Sequence, residues 1–104
     1  MNAFTEIEED AHLIERLCEQ LNPLDHDIFR IRCTYTPIQE CFDEIQYERR
    51  LAEDFDVYHI KTNDKLQMIA TRFERDIERL AFVNNISDPK IICAGSVITL
   101  RAQL

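Results

Sequence analysis

Residues 57–100 have the sequence VYHIKTNDKLQMIATRFERDIERLAFVNNISDPKIICAGSVITL, and this stretch decides the fold. It begins and ends with short segments rich in β-branched and aromatic residues, 57–61 and 97–100, which are typical of β-strands. Two runs between them, 65–73 and 76–82, carry apolar residues at helical spacing. The sequence therefore predicts strand, helix, helix, strand, with the two strands paired antiparallel. The inward-facing helical residues are Leu66, Ile69, Ala70 and Phe73, and then Ile77, Leu80 and Ala81.

The turns of this stretch carry residues that tolerate a positive φ angle. Asn63 precedes the first helix, the pair Asn84 and Asn85 follows the second, and Gly95 precedes the last strand. Asparagine is one of the few non-glycine residues found in the left-handed region, and glycine has no Cβ to clash there. We therefore expect positive φ at these turns, with Asp64 as the N-cap of the first helix.

The order of these elements and turns resembles the LysM family. LysM proteins usually have a Gly-Asp pair at the first turn, where this chain has Asn63-Asp64, and often a proline before the last glycine, where it has Ala94. The resemblance covers residues 57–100. It implies a non-enzymatic βααβ module of the kind best known for binding glycans that contain N-acetylglucosamine. It also implies that an asparagine after the second helix ties loop backbone groups together.

The resemblance further implies where a glycan would bind, in a shallow groove between the first turn and the loop after the second helix. Each residue at those positions also suits a turn, so a purely structural role remains open. The candidate glycan-binding residues are Thr62, Asn63, Asp64, Lys65, Ile86, Ser87, Asp88 and Pro89.

The first half of the chain shows two helical patterns and one alternating pattern. Apolar residues at helical spacing predict amphipathic helices over about 6–21 and 37–53. Between them, Phe29, Ile31, Cys33 and Tyr35 alternate with polar residues, which predicts a strand over 28–36 that needs a partner. We therefore predict an α+β protein: a helical docking segment over 1–54, with two amphipathic helices and one strand, and a LysM-like domain over 55–104.

The net charge of −8 is concentrated in the first half. Residues 1–54 hold five arginines, no lysine and 14 acidic residues, whereas residues 55–104 are close to neutral. An acidic segment repels phosphate, so nucleic acid is not an expected partner. A basic protein surface would suit it, although a solvated helix face explains the charge equally well.

Several kinds of chemistry are not expected. A single glycine excludes the glycine-rich loops that cradle nucleotide phosphates, and the sequence has neither GxSxG nor HExxH. Cys18, Cys33, Cys41 and Cys93 form no CxxC pair, which favours buried thiols over a metal site, with a disulfide or a contact to a neighbouring chain as alternatives. We expect no catalysis, metal or cofactor. No apolar run reaches the ~20 residues that span a bilayer.

Two functional hypotheses follow. The first is a structural component of a contractile phage tail or a related injection machine, because small LysM-like proteins occur in such baseplates. Its partners would be other tail proteins, with several copies in the virion. The acidic start lacks the regions of a secretory signal peptide, so we expect assembly in the host cytoplasm, with the bacterial cytoplasm as an alternative location. The second hypothesis is a module that binds peptidoglycan.

Overall fold

The structure, a computed structural model, describes residues 3–101 and the side chains of residues 10–101. Within this range the chain has five α-helices and one antiparallel sheet of two strands, which is the α+β class predicted from the sequence. It divides into two compact units, Met1–Tyr47 and Glu48–Leu104. The elements are α1 (Ala3–Glu19), α2 (His26–Arg32), α3 (Ile38–Phe55), β1 (Val57–His59), α4 (Leu66–Arg72), α5 (Ile77–Val83) and β2 (Val97–Thr99).

The described residues of the N-terminal unit form helices joined by turns, with no strand among them. Both predicted amphipathic helices are present, as α1 and α3, with ends that differ from the prediction by one to three residues. The rings of Phe29 and Phe42 meet edge to face, with their centroids 6.2 Å apart. The buried apolar residues of this unit are Leu17, Cys18, Leu21, Ile28, Phe29, Cys41, Phe42 and Ile45.

The prediction of a strand over residues 28–36 is wrong, because this segment forms most of α2 and the turn after it. The adjacent residues Ile28 and Phe29 are both buried, which an alternating strand does not allow. Ile31 and Tyr35, which the alternation placed on the inner face, are 54% and 83% exposed. The period of two in the sequence therefore does not describe the burial of this segment.

The helix prevails over the strand because it satisfies its own backbone while an isolated strand would not. The Cys33 N–H donates to the Phe29 carbonyl at 3.0 Å. The start signal was also present in the sequence: Asn22 caps a 3₁₀ turn, its Oδ1 accepting the Leu24 N–H at 2.9 Å, with Pro23 at the first position. Asn followed by Pro is a common helix start as well as a stop.

The C-terminal unit has the predicted order of strand, helix, helix and strand. β1 and β2 pair antiparallel, with Tyr58 opposite Ile98. The helices α4 and α5 bury their predicted stripes against this sheet, with Leu66 and Leu80 fully buried. The core is formed by Ala52, Tyr58, Ile60, Leu66, Ile69, Ala70, Phe73, Leu80, Ala81, Ile98 and Leu100.

The predicted positive φ angles are confirmed at Asn63 (70°), Asn85 (56°) and Gly95 (91°). The N-cap prediction differs by one residue, because α4 begins at Leu66 and Lys65 occupies the N-cap position. The Asp64 carboxylate accepts hydrogen bonds from the Tyr58 hydroxyl at 2.6 Å and from the Lys61 N–H at 2.8 Å. Asp64 therefore closes the first turn onto β1.

We expect Gly95→Val to lower the free energy of unfolding of the C-terminal unit by about 1–2 kcal/mol. A Cβ at position 95 meets no atom within 4 Å, so the cost comes from the φ of +91° alone. A β-branched residue resists this conformation most, so Gly95→Ala should cost less. Urea unfolding of the three proteins measures the difference. Equal midpoints for glycine and valine would contradict the assigned backbone conformation.

Candidate functional site

The C-terminal unit contains a groove of about 320 Å³ between the end of β1 and the segment that joins α5 to β2. This volume is within the range of small-ligand sites. Apolar side chains, among them Ile60 and Ile98, alternate with polar ones such as Asn85 and Ser96 around it. The full lining is Ile60, Asn84, Asn85, Ile86, Ser87, Asp88, Ile91, Ile92, Cys93, Ser96, Val97 and Ile98.

Only some of the candidate glycan-binding residues line this groove. Ile86, Ser87 and Asp88 line the groove, whereas Pro89 and the first-turn residues 62–65 are absent from its lining. Thr62, Asn63 and Lys65 are exposed, and Asp64 is half-buried. The groove is completed instead by residues 91–93 and 96–98, none of which is among the predicted glycan-binding residues.

Asn84 holds the groove together by joining the end of α5 to β2. Its Nδ2 donates to the carbonyls of Leu80 at 2.9 Å and Thr99 at 2.8 Å, and its Oδ1 accepts the Thr99 N–H at 2.8 Å. The side chain thus pairs with both backbone groups of Thr99 as a neighbouring strand would. This is the loop-tying asparagine that the resemblance implied, and of the two candidates it is Asn84.

Exposed apolar side chains surround the groove. Ile91 is 70% exposed and Val97 is also exposed, and both line it. A shallower depression beside it shares Asn85, Ile86 and Ser87 with the groove and is bordered by Phe82, which is 70% exposed. We call the exposed residues Phe82, Ile91 and Val97, together with the half-buried Ile86, the α5–β2 surface. Clustered exposed apolar residues of this kind mark interaction sites.

Residues 58–101 match the family model described as LysM domain. This segment is similar to LysM domains. The match agrees with the paired strands, the two helices between them and the asparagine tie. It indicates a module that binds carbohydrate, peptidoglycan or other proteins rather than one that catalyses a reaction. Comparisons with curated proteins and with solved structures gave no match.

A buried ion pair joins α4, in the LysM-like segment 58–101, to the C-terminal half of α3. The Arg72 guanidinium donates to Glu48 Oε1 at 2.6 Å, and the two side chains are 2% and 4% exposed. Arg72 and Arg49 also lie over the Phe73 ring, 4.9 and 4.8 Å from its centroid. Arg49 donates to the Arg72 carbonyl at 3.1 Å. These contacts hold the last turns of α3 against α4.

This ion pair is not apparent from the sequence pattern. Glu48 and Arg49 belong to the polar run 47–50, which by itself suggests a solvent-exposed helix face. One signal was present: Ala52 and Ile45 continue the apolar stripe of α3 on either side of Glu48. A charged residue inside an apolar stripe requires a buried partner of opposite charge. The sequence does not say which of the seven cations of the second half supplies it.

The four cysteines are free thiols in the structure. Cys18 and Cys41 are buried, Cys33 is half-buried and Cys93 is exposed in the groove. Burial raises the pKa of the Cys41 thiol to about 12, and it also raises the pKa of Cys18 and Cys33. These three are therefore poor nucleophiles, since the thiolate is the reactive form. Among the described residues no group of His, Cys, Asp or Glu could hold a metal ion.

Within residues 3–101 there is also no helix with the length and apolar character needed to cross a bilayer.

Proposed function

We propose that this protein is a non-enzymatic docking component that holds neighbouring proteins in a larger assembly. The observation that carries the proposal is the α5–β2 surface, where Phe82, Ile91 and Val97 are exposed around a groove. Exposed side chains of this size favour a protein partner, which can bury them in complementary apolar pockets. A loop that stays in contact with water gains nothing from exposed apolar side chains of this size.

The assembly that we propose is the baseplate of a contractile phage tail or a related injection machine. The resemblance of residues 57–100 to the LysM family supports this, since small LysM-like proteins occur in such baseplates. The acidic first half also supports it, because it suits a basic neighbouring surface. The protein would then be a virion component assembled in the host cytoplasm.

The test is binding to purified sheath, tube and wedge proteins of a contractile tail. Ile91→Asp should weaken binding at least ~10-fold, because it places a charge in the centre of a buried apolar contact. Ile31→Asp is the matched control, since Ile31 is an exposed isoleucine outside this surface. Both variants should keep the melting temperature. Equal binding by the two variants, or no neighbour bound at all, would refute the proposal.

The alternative function is binding of peptidoglycan or another glycan that contains N-acetylglucosamine. The observation in its favour is the groove itself, where Ser87 and Asp88 offer polar groups beside the apolar side chains of Ile60 and Ile98. Such a mixture suits the acetamido group and the sugar ring. Saturable retention of the purified chain on insoluble peptidoglycan, lost in Ser87→Ala/Asp88→Ala, would favour this function over protein docking.

A further inference from the structure

The two strands of the sheet use alternate residues to pair with each other. The Ile60 N–H donates to the Ser96 carbonyl at 2.9 Å, and the Leu100 N–H donates to the Asp56 carbonyl at 2.6 Å. In an antiparallel ladder every second residue directs its backbone groups to the same neighbour. Tyr58, which lies midway between Asp56 and Ile60, therefore also faces β2.

The residues between these, Val57 and His59, direct their N–H and C=O groups away from β2. Opposite residues on β2 are Thr99 and Val97, as expected for non-hydrogen-bonded pairs. No hydrogen bond joins the outward groups of Val57 and His59 to another residue of the range 3–101. Two N–H donors and two C=O acceptors thus form an open strand edge, which is a template for a further strand.

The open edge of β1 ends before Lys61, because the outward backbone groups of Lys61 are already hydrogen-bonded. The outward N–H of Lys61 donates to the Asp64 carboxylate at 2.8 Å, and its carbonyl accepts the Asp64 N–H at 3.1 Å. On the other side of the sheet, Asn84 covers both backbone groups of Thr99. The chain therefore caps neighbouring positions with side chains and leaves Val57 and His59 uncovered.

We propose that β1 pairs antiparallel with β1 of a second copy of this chain. A two-fold axis through Tyr58 places Val57 of each copy opposite His59 of the other. Both pairs can then be hydrogen-bonded pairs, giving four backbone hydrogen bonds and a continuous four-stranded sheet. The edge complements itself because its two open residues lie symmetrically about Tyr58. This inference does not depend on the proposed docking function.

The charges beside β1 favour a second copy of the chain as the partner and antiparallel pairing of the two strands. The last turn of α3, before β1, exposes Glu53 and Asp54, whereas the turn after β1 exposes Lys61 and Lys65. Antiparallel pairing brings the acidic end of one copy to the basic end of the other, and parallel pairing would bring like charges together. The dimer should therefore weaken as salt is raised from about 0.05 to 0.5 M.

The first test is sedimentation velocity of the full chain from about 10 μM to 1 mM, because four hydrogen bonds and a small interface give a weak dimer. His59→Pro removes an outward N–H without touching the ladder to β2, and an edge strand tolerates proline. His59→Ala is the matched control, since it keeps the N–H. We expect dimers in the parent and in His59→Ala and at least a ~10-fold weaker association in His59→Pro.

Hydrogen exchange gives a second readout that does not depend on how the proline variant folds. Amide exchange at Val57 and His59 of the parent should slow as the protein concentration rises, while exchange at exposed loop amides stays constant. A sedimentation coefficient that stays monomeric across the range, or a dimer in which both amides exchange as fast as in the monomer, overturns the proposal. The latter result would place the interface elsewhere.

A disulfide trap tests the register of the pairing. In a Cys93→Ser background, Val57→Cys combined with His59→Cys places two thiols opposite each other across the proposed axis, at a separation that a disulfide can bridge. Oxidised glutathione should yield covalent dimers of this variant. Each single cysteine variant in the same background serves as a control and should yield few. Equal yields from the double and single variants would contradict the register.

Discussion

Replacing Arg72 by methionine should lower the free energy of unfolding of the C-terminal unit by about 3–5 kcal/mol. Methionine has a similar length but leaves the Glu48 carboxylate, which is only 4% exposed, without its 2.6 Å partner. A buried charge that loses its partner retains the full cost of desolvation. The variant also loses the guanidinium that lies over the Phe73 ring. Urea unfolding followed by circular dichroism measures the change.

The double variant Glu48→Leu/Arg72→Met separates the loss of a charge partner from the loss of packing. Because no charge is left unpaired, most of the stability should return, as buried ion pairs replaced by apolar residues are often close to neutral. Arg50→Met is the matched control, since Arg50 lies exposed on α3 in the same unit and should change stability by less than about 0.5 kcal/mol. A double variant that is less stable than Arg72→Met would contradict the explanation.

Asn84→Ala should lower the free energy of unfolding of the same unit by about 2–3 kcal/mol. The change removes three hydrogen bonds at once and leaves the Leu80 carbonyl and both backbone groups of Thr99 without their partner. The site is half-buried, so water recovers part of the loss. Thermal unfolding measures the global effect, and amide exchange at Thr99 should accelerate in the variant.

Asn84→Asp tests whether the donor side of the amide matters. The carboxylate still accepts the Thr99 N–H but cannot donate to the Leu80 and Thr99 carbonyls and repels them. We expect it to be no more stable than Asn84→Ala. Stability equal to that of the parent would show that the two carbonyl contacts contribute little, and Asn84 would then not be the tie between α5 and β2.

The turns and helices of residues 57–100 could be predicted because they depend on residues that are close together in the sequence. Asn63, Asn85 and Gly95 adopt positive φ for reasons that lie in their own side chains, and the apolar residues around Leu66 and Leu80 recur at the spacing of a helix. Residues 58–101 also match the LysM family model.

The candidate site was only partly predictable. Ser87 and Asp88 are among the predicted glycan-binding residues and line the groove, but the first-turn residues 62–65 do not. Ile91 and Val97 line it because the chain after α5 folds back along β2. No periodicity in residues 86–96 signals that path. The alternation of Phe29, Ile31 and Tyr35 predicted a strand, but no strand among residues 3–101 pairs with this segment, and it satisfies its backbone hydrogen bonds as a helix.

The sequence by itself determined the turns, the two helical stripes and the positions of β1 and β2, because each depends on the conformational preference of single residues or on a short period. Only the tertiary structure decided that Glu48 meets Arg72, that Asn84 rather than Asn85 bonds to Thr99, and that Val57 and His59 keep an open edge. The two side-chain contacts join residues 24 and 15 positions apart. The open edge exists because no strand among the described residues pairs with the outer side of β1. The free energy of these contacts depends on burial and on partners that no local pattern specifies.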